Sequence, residues 1–131
     1  MRFLLDTHIA VWWVTCDPRL PEDARLLISD PANDFHVSAA SIWEIAIKSA
    51  LRRGHRDDMK MTGHEALADF ERTGFTLLPI EPEHAAAVDD LGLRHSDPFD
   101  RILVAQAGKE DMRLMTHDRT LVAYGDFVEL V

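Results

Sequence analysis

Short apolar segments with the character of β-strands alternate along the chain with longer segments of helical period. The predicted strands are Arg2–Leu5, Asp34–Ser38, Phe75–Ile80, Arg113–Thr116 and Phe127–Val131. The predicted helices are Thr7–Thr15, a segment after Pro21, about Ala39 to Arg53, His64–Thr73, Pro82–Leu91, Pro98–Met112 and Asp118–Tyr124. Such alternation predicts an α/β fold, with a central parallel sheet of about five strands between layers of helices.

The first predicted helix, Thr7–Thr15, is apolar on nearly every side. A helix of this kind is either buried in the core or covered by another protein surface. We expect Trp12, Trp13 and Trp43 to pack in the core, because aromatic side chains carry large apolar areas. The alternative is that the first helix offers an aromatic face to a second subunit.

Length and composition favour one globular unit. The chain has 131 residues, of which 47% are hydrophobic and 28% charged, the balance of a soluble domain. Its longest apolar run, Ile9–Val14, is too short to span a bilayer, and Cys16 has no second cysteine with which to form a disulfide. We therefore expect a single domain over residues 1–131, located in the cytoplasm and without a membrane partner.

The charge is acidic overall but uneven. There are 23 acidic residues against 14 lysines and arginines, which gives a formal net charge of −9. The segment from Lys48 to Lys60 is basic instead. Its only acids are Asp57 and Asp58, whereas its basic residues are Lys48, Arg52, Arg53, Arg56 and Lys60. This segment could contact a phosphate backbone, and it could equally be a solvated helix end and loop.

Acidic residues follow or flank the predicted strands where a ligand of a parallel sheet would bind. Asp6 ends the first strand, Asp118 lies two residues beyond the fourth, and Asp97 and Asp100 open a helix. Glu44 stands in an apolar run of the third helix. The carboxyl ends of parallel strands share one edge of the sheet, and clustered carboxylates suit hard cations such as Mg²⁺ or Mn²⁺.

The same acids also have a purely structural interpretation. Asp is a preferred helix N-cap, and a parallel topology places such caps along one edge, so Asp6 and Asp118 could both be caps. Asp97 before Pro98 fits a cap as well, with Asp100 favoured by the positive helix end. Glu44 could form a capping box with Ser41 or an ion pair with Lys48.

Four segments carry a resemblance to a known family. In order along the chain they are FLLDTHIAVWW, SIWEIAIK, HSDPFDRILVAQA and LMTHD. In this order and spacing they resemble the PIN-domain nucleases, and most closely the VapC-type toxins of bacterial toxin-antitoxin pairs. The resemblance implies a PIN-like three-layer α/β/α fold and a Mg²⁺- or Mn²⁺-dependent ribonuclease. It assigns the catalytic and metal-binding roles to Asp6, Glu44, Asp100 and Asp118, with Thr7, Thr116 and Asp97 as supporting neighbours.

The resemblance also implies partners. They are an RNA substrate, a cognate antitoxin protein and a second copy of the chain in a homodimer. Lys48, Arg52, Arg53 and Arg56 become the predicted contacts to the RNA backbone.

Two other classes remain as alternatives. A phosphatase or phospho-receiver domain also places an Asp after its first strand, but the D-x-D pattern would need an acid at His8. In a non-catalytic α/β binding module, every one of these acids would be a cap.

Overall fold

The computed structural model describes residues 1–51, 54, 59–92 and 97–131. Its strands are β1 (Arg2–Leu5), β2 (Asp34–Ser38), β3 (Thr76–Leu78), β4 (Arg113–Thr116) and β5 (Val128–Leu130). Its α-helices are α1 (Thr7–Val14), α2 (Glu22–Ser29), α3 (Ala39–Ala50), α4 (Gly63–Thr73), α5 (Pro82–Ala87) and α6 (Pro98–Lys109). Two 3₁₀ helices cover Val88–Leu91 and Arg119–Tyr124.

The strands form one parallel sheet in the order β3-β2-β1-β4-β5. Strand β1 lies at the centre, where Leu4 is in register with His36 of β2 and with Leu114 of β4. The predicted α/β fold with about five parallel strands is confirmed. Because β1 and β4 are neighbours and parallel, the residues that follow them come together at one edge of the sheet.

Two hydrophobic clusters lie on opposite faces of the sheet. Phe3 and Leu5 belong to one cluster and Leu4 to the other, as expected for a strand whose successive side chains alternate between faces. Helices α1 and α4 pack on the first face and α6 on the second. Strand β1 is thus buried on both sides, which is the three-layer arrangement predicted from the sequence.

Several element boundaries differ from the predicted ones. The predicted helix Pro82–Leu91 changes to 3₁₀ geometry at Val88, and the one predicted after Asp118 is 3₁₀ throughout. Strand β3 ends at Leu78 because the next residue, Pro79, has no N–H to donate to the neighbouring strand. Helix α3 ends at Ala50, and the predicted end at Arg53 lies outside the described residues.

One prediction about the core is wrong. Trp43 is 59% exposed, because the buried stripe of α3 runs through Ala40, Ser41, Glu44 and Ile45 and leaves Trp43 beside it. Its ring packs against that of Phe99 in an edge-to-face arrangement. Trp12 and Trp13 are partly buried against the cluster that contains Phe3. Within the described ranges, we find no helix long and apolar enough to cross a membrane.

Candidate active site

Asp6 follows β1 directly and is buried, with 7% of its surface exposed. It occupies the N-cap position of α1, yet its side chain makes no capping hydrogen bond. Instead its Oδ2 accepts a hydrogen bond of 2.6 Å from Oγ1 of Thr116, the last residue of β4. The cap interpretation therefore fails for Asp6, whose carboxylate is fixed by the neighbouring strand.

Burial raises the pKa of Asp6 above its ordinary value. The hydrogen bond from Thr116 and the charge of His8 lower this pKa, whereas the nearby charge of Glu44 raises it further. Among the residues that the structure describes, Asp6 forms no salt bridge. The site thus holds a buried carboxyl group whose pKa is raised by burial and, to a smaller degree, by the charge of a second carboxylate. A nearby cation would favour the ionised form of such a group.

Asp118 reaches the same threonine in a different way. Its backbone N–H donates to Thr116 Oγ1 at 3.0 Å, so the hydroxyl of Thr116 links the residues that follow β1 and β4. The side chain of Asp118 caps the 3₁₀ helix, since its Oδ1 accepts from the N–H and the hydroxyl of Thr120 at 2.9 and 2.7 Å. The cap interpretation holds for Asp118.

Glu44 lies on the buried stripe of α3. Its Oε2 accepts a 2.6 Å hydrogen bond from Nζ of Lys48, so the ion pair predicted from their spacing is present. The alternative capping box is wrong, because Ser38 caps α3 and its side chain accepts from the N–H of Ala40. Ser41 instead accepts a 2.8 Å hydrogen bond from Thr7, which ties the start of α1 to α3.

Two further acids, Asp97 and Asp100, stand at the start of α6, and their charges act on Lys48. Asp97 is the N-cap, with Oδ1 accepting from the N–H of Phe99 at 2.9 Å and of Asp100 at 3.4 Å. Asp100 stands in the first turn and is half-buried. Burial lowers the pKa of Lys48, but the hydrogen bond and charge of Glu44 and the charges of Asp97 and Asp100 raise it above its ordinary value.

The predicted site residues thus fall into a connected group. Thr116 joins Asp6 and Asp118, Glu44 acts electrostatically on Asp6, and Lys48 links Glu44 to the acids of α6. Over residues 1–51, 54, 59–92 and 97–131, no three or more His, Cys, Asp or Glu side chains are arranged so that they could hold a metal ion. Arg52, Arg53 and Arg56, the other predicted backbone contacts, lie outside the described residues.

A model of the PIN domain matches residues 3–126 of this sequence. The chain belongs to the PIN-domain family. It is 33% identical over 119 residues to Ribonuclease VapC22 of Mycobacterium tuberculosis, an alignment that covers 90% of this chain and 88% of the relative. This identity extends over nearly the whole PIN domain, so the likeness to VapC ribonucleases is not restricted to a short motif.

Solved structures resemble this PIN domain in fold. VapBC2 from Rickettsia felis, bound to a DNA fragment from its promoter, has a chain that matches with a TM-score of 0.67 and 14% identity, covering 100% of this chain and 98% of its own. A toxin-antitoxin complex from Klebsiella pneumoniae matches with a TM-score of 0.62 and 16% identity, covering 96% and 94%. At these identities the likeness establishes the fold alone.

One contact of the candidate site was missed from the sequence. It is the hydrogen bond from Thr7 to Ser41, which joins two elements that are far apart in the chain. No local pattern could have indicated it, because the two residues lie 34 positions apart and meet only through the packing of α1 on α3. His8 is exposed, and its charge lowers the pKa of the buried Asp6 carboxyl.

Proposed function

We propose that this protein is a divalent-metal-dependent ribonuclease that hydrolyses RNA phosphodiester bonds and acts as the toxin of a toxin-antitoxin pair. The observation that carries the proposal is the Asp6 carboxylate, which is buried, makes no capping bond and is oriented by Thr116 next to Glu44. Burying an ionised carboxylate without a cation partner costs stability, and such groups concentrate at functional sites.

The residues present fit a Mg²⁺ or Mn²⁺ ion by their chemistry. Asp6, Glu44, Asp100 and Asp118 offer carboxylate oxygens, the donors that these hard cations prefer. Burial, and to a smaller degree the charge of Glu44, raises the pKa of Asp6, and a bound cation would favour its ionised form. These four acids are our proposed ligands, and some of their side chains must move to bind one ion together.

The roles of the residues follow from their contacts. When bound, the cation would supply acidification of water and neutralisation of charge on the phosphoryl oxygens. Thr116 orients the Asp6 carboxylate through its hydroxyl, and Thr7 anchors the start of α1 to α3. Asp97 orders the first turn of α6 and so positions Asp100. We assign Lys48, Arg52, Arg53 and Arg56 to contacts with the RNA backbone.

The toxin role rests on the relatives. The similar protein from Mycobacterium tuberculosis is a VapC ribonuclease, and the matching solved structures include VapBC and toxin-antitoxin complexes. We therefore propose a cognate antitoxin protein as partner and a homodimer as the assembled state. We place this single-domain protein in the cytoplasm, where it would meet its RNA substrate.

The proposal is tested by incubating the purified protein, free of any antitoxin, with a panel of structured and unstructured RNAs. We expect cleavage in Mg²⁺ or Mn²⁺, no cleavage in EDTA, and recovery when metal is restored in excess. Cleavage that persists in EDTA would refute the metal dependence. Phosphate release from small phosphoesters without RNA cleavage would favour a phosphatase, and the absence of both activities would favour a non-catalytic binding module.

A further inference from the structure

Lys48 differs from a lysine on a solvated helix face, because its ammonium group contacts a buried carboxylate. Its ammonium lies 2.6 Å from Glu44 Oε2, and the side chain of Glu44 is only 5% exposed whereas that of Lys48 is 42% exposed. The lysine therefore reaches inward from the solvent side to neutralise a buried carboxylate. A buried carboxylate with one such partner depends on it more than a solvated one does.

A second ion pair in the same molecule makes the difference clear. Arg72 and Asp69 of α4 are also 2.6 Å apart, but both are more exposed, at 74% and 29%. That pair involves no residue of the proposed site. Lys48, in contrast, is influenced by acids from two helices: Glu44 on its own helix α3, and Asp97 and Asp100 at the start of α6.

The ammonium thus already stands where positive charge is needed. One oxygen of Glu44 accepts the hydrogen bond from Lys48, and in the described part of the chain no three acids are arranged to hold a metal ion. A divalent cation that binds Glu44 must share that carboxylate with Lys48 or displace the ammonium from it. Displacement costs the energy of the existing ion pair, whereas sharing brings two positive charges close together, so either event opposes metal binding.

We propose that Lys48 is a resident counter-ion that competes with the divalent cation for Glu44 and so sets the metal concentration at which the site fills. The proposal rests on the proposed function, since it needs a metal site that includes Glu44. It assigns Lys48 a positioning role through Glu44 and requires no contact between Lys48 and the substrate. If Lys48 competes with the cation, removing its ammonium group should tighten metal binding. If Lys48 instead supported the metal site, its removal would weaken binding.

The test measures Mn²⁺ binding by isothermal titration calorimetry, in the absence of RNA, for wild type and Lys48→Met. We expect the variant to bind Mn²⁺ about three- to tenfold more tightly, the range between a weak exposed pair and a stronger, partly buried one. Lys48→Arg keeps the positive charge and should stay near wild type. Arg72→Met is the matched control, because it removes an ion pair of equal length away from the site.

Unchanged or weaker Mn²⁺ binding by Lys48→Met would overturn the proposal and reduce the pair to a helix contact. If Lys48→Met fails to fold, Lys48→Gln, which keeps a polar side chain, replaces it with the same expected tightening. Failure of the proposed function gives a different result. Wild type would then bind no Mn²⁺, or Asp6→Asn would bind it as well as wild type, and the inference about Lys48 would fall with it.

Discussion

Asp6 and Asp118 both follow the carboxyl ends of two neighbouring parallel strands, and both contact Thr116, yet they use their side chains in opposite ways. The Asp6 carboxylate accepts from the Thr116 hydroxyl and caps no helix. Asp118 donates its backbone N–H to the same hydroxyl and uses its carboxylate as a cap. The partner of the carboxylate therefore distinguishes the two acids: that of Asp118 caps a helix, whereas that of Asp6 is bonded to the neighbouring strand.

Removing the charge of Asp6 tests most directly whether its carboxylate is needed for RNA cleavage. Asp6→Asn should lower RNA cleavage at saturating Mn²⁺ by at least about 100-fold, since even residues that only support metal ligands change such sites by about 10- to 100-fold. Asparagine retains an oxygen that can accept from Thr116, so circular dichroism should show a folded protein. Cleavage within a few fold of wild type would remove Asp6 from the site.

The capping role of Asp118 should appear as a smaller effect, on stability rather than on cleavage. Asp118→Ala should lower the free energy of unfolding by about 0.5–2 kcal/mol, whereas Asp118→Asn, which can still cap, should lose much less. Urea denaturation in EDTA measures both without any contribution from metal. Equal stabilities of the two variants would show that the hydrogen bonds from Thr120 do not stabilise the protein. The carboxylate of Asp118 would then have no more of a capping role than that of Asp6.

The smallest signal is the pH dependence that Asp6 imparts to stability. The pKa of Asp6 is raised by burial above its ordinary value of 3.8, so ionising this residue costs more in the folded protein than in the unfolded chain. The protonated form of Asp6 therefore favours the folded protein. This contribution to stability is fully present below pH 3.8 and is lost as the pH rises through the pKa that Asp6 has in the folded protein. The melting temperature of Asp6→Asn, minus that of wild type in EDTA, should therefore increase between pH 4 and 8. A difference independent of pH would contradict the burial effect.

The sequence predicted the sheet well because local periodicity and topology agree. Strand β1 is apolar at consecutive positions, which fits burial on both faces, and parallel order alone brings the ends of β1 and β4 together. The 3₁₀ geometry after Val88 could not be predicted, because tertiary packing decides between hydrogen bonds to the third and the fourth residue.

The candidate site was predictable to a similar degree. The spacing of Glu44 and Lys48 predicted their ion pair, since residues four apart share a helix face. Which of the other acids cap a helix was not predictable, because an Asp after a strand can either cap the next helix, as Asp118 does, or bond to a neighbouring strand, as Asp6 does. Trp43 was assigned to the core from its residue type, although the buried stripe of α3 passes beside it.

The hydrogen bond between Thr116 and Asp6 joins residues that are 110 positions apart. Strand β1 is synthesised before its neighbour β4, and β2, β3 and helices α1 to α6 are made between them. Until then the carboxylate of Asp6 has neither its threonine nor the strand that encloses it. During synthesis the nascent protein therefore carries Asp6 before the rest of the candidate site is made, and a chain truncated before Thr116 cannot form the hydrogen bond that orients its carboxylate.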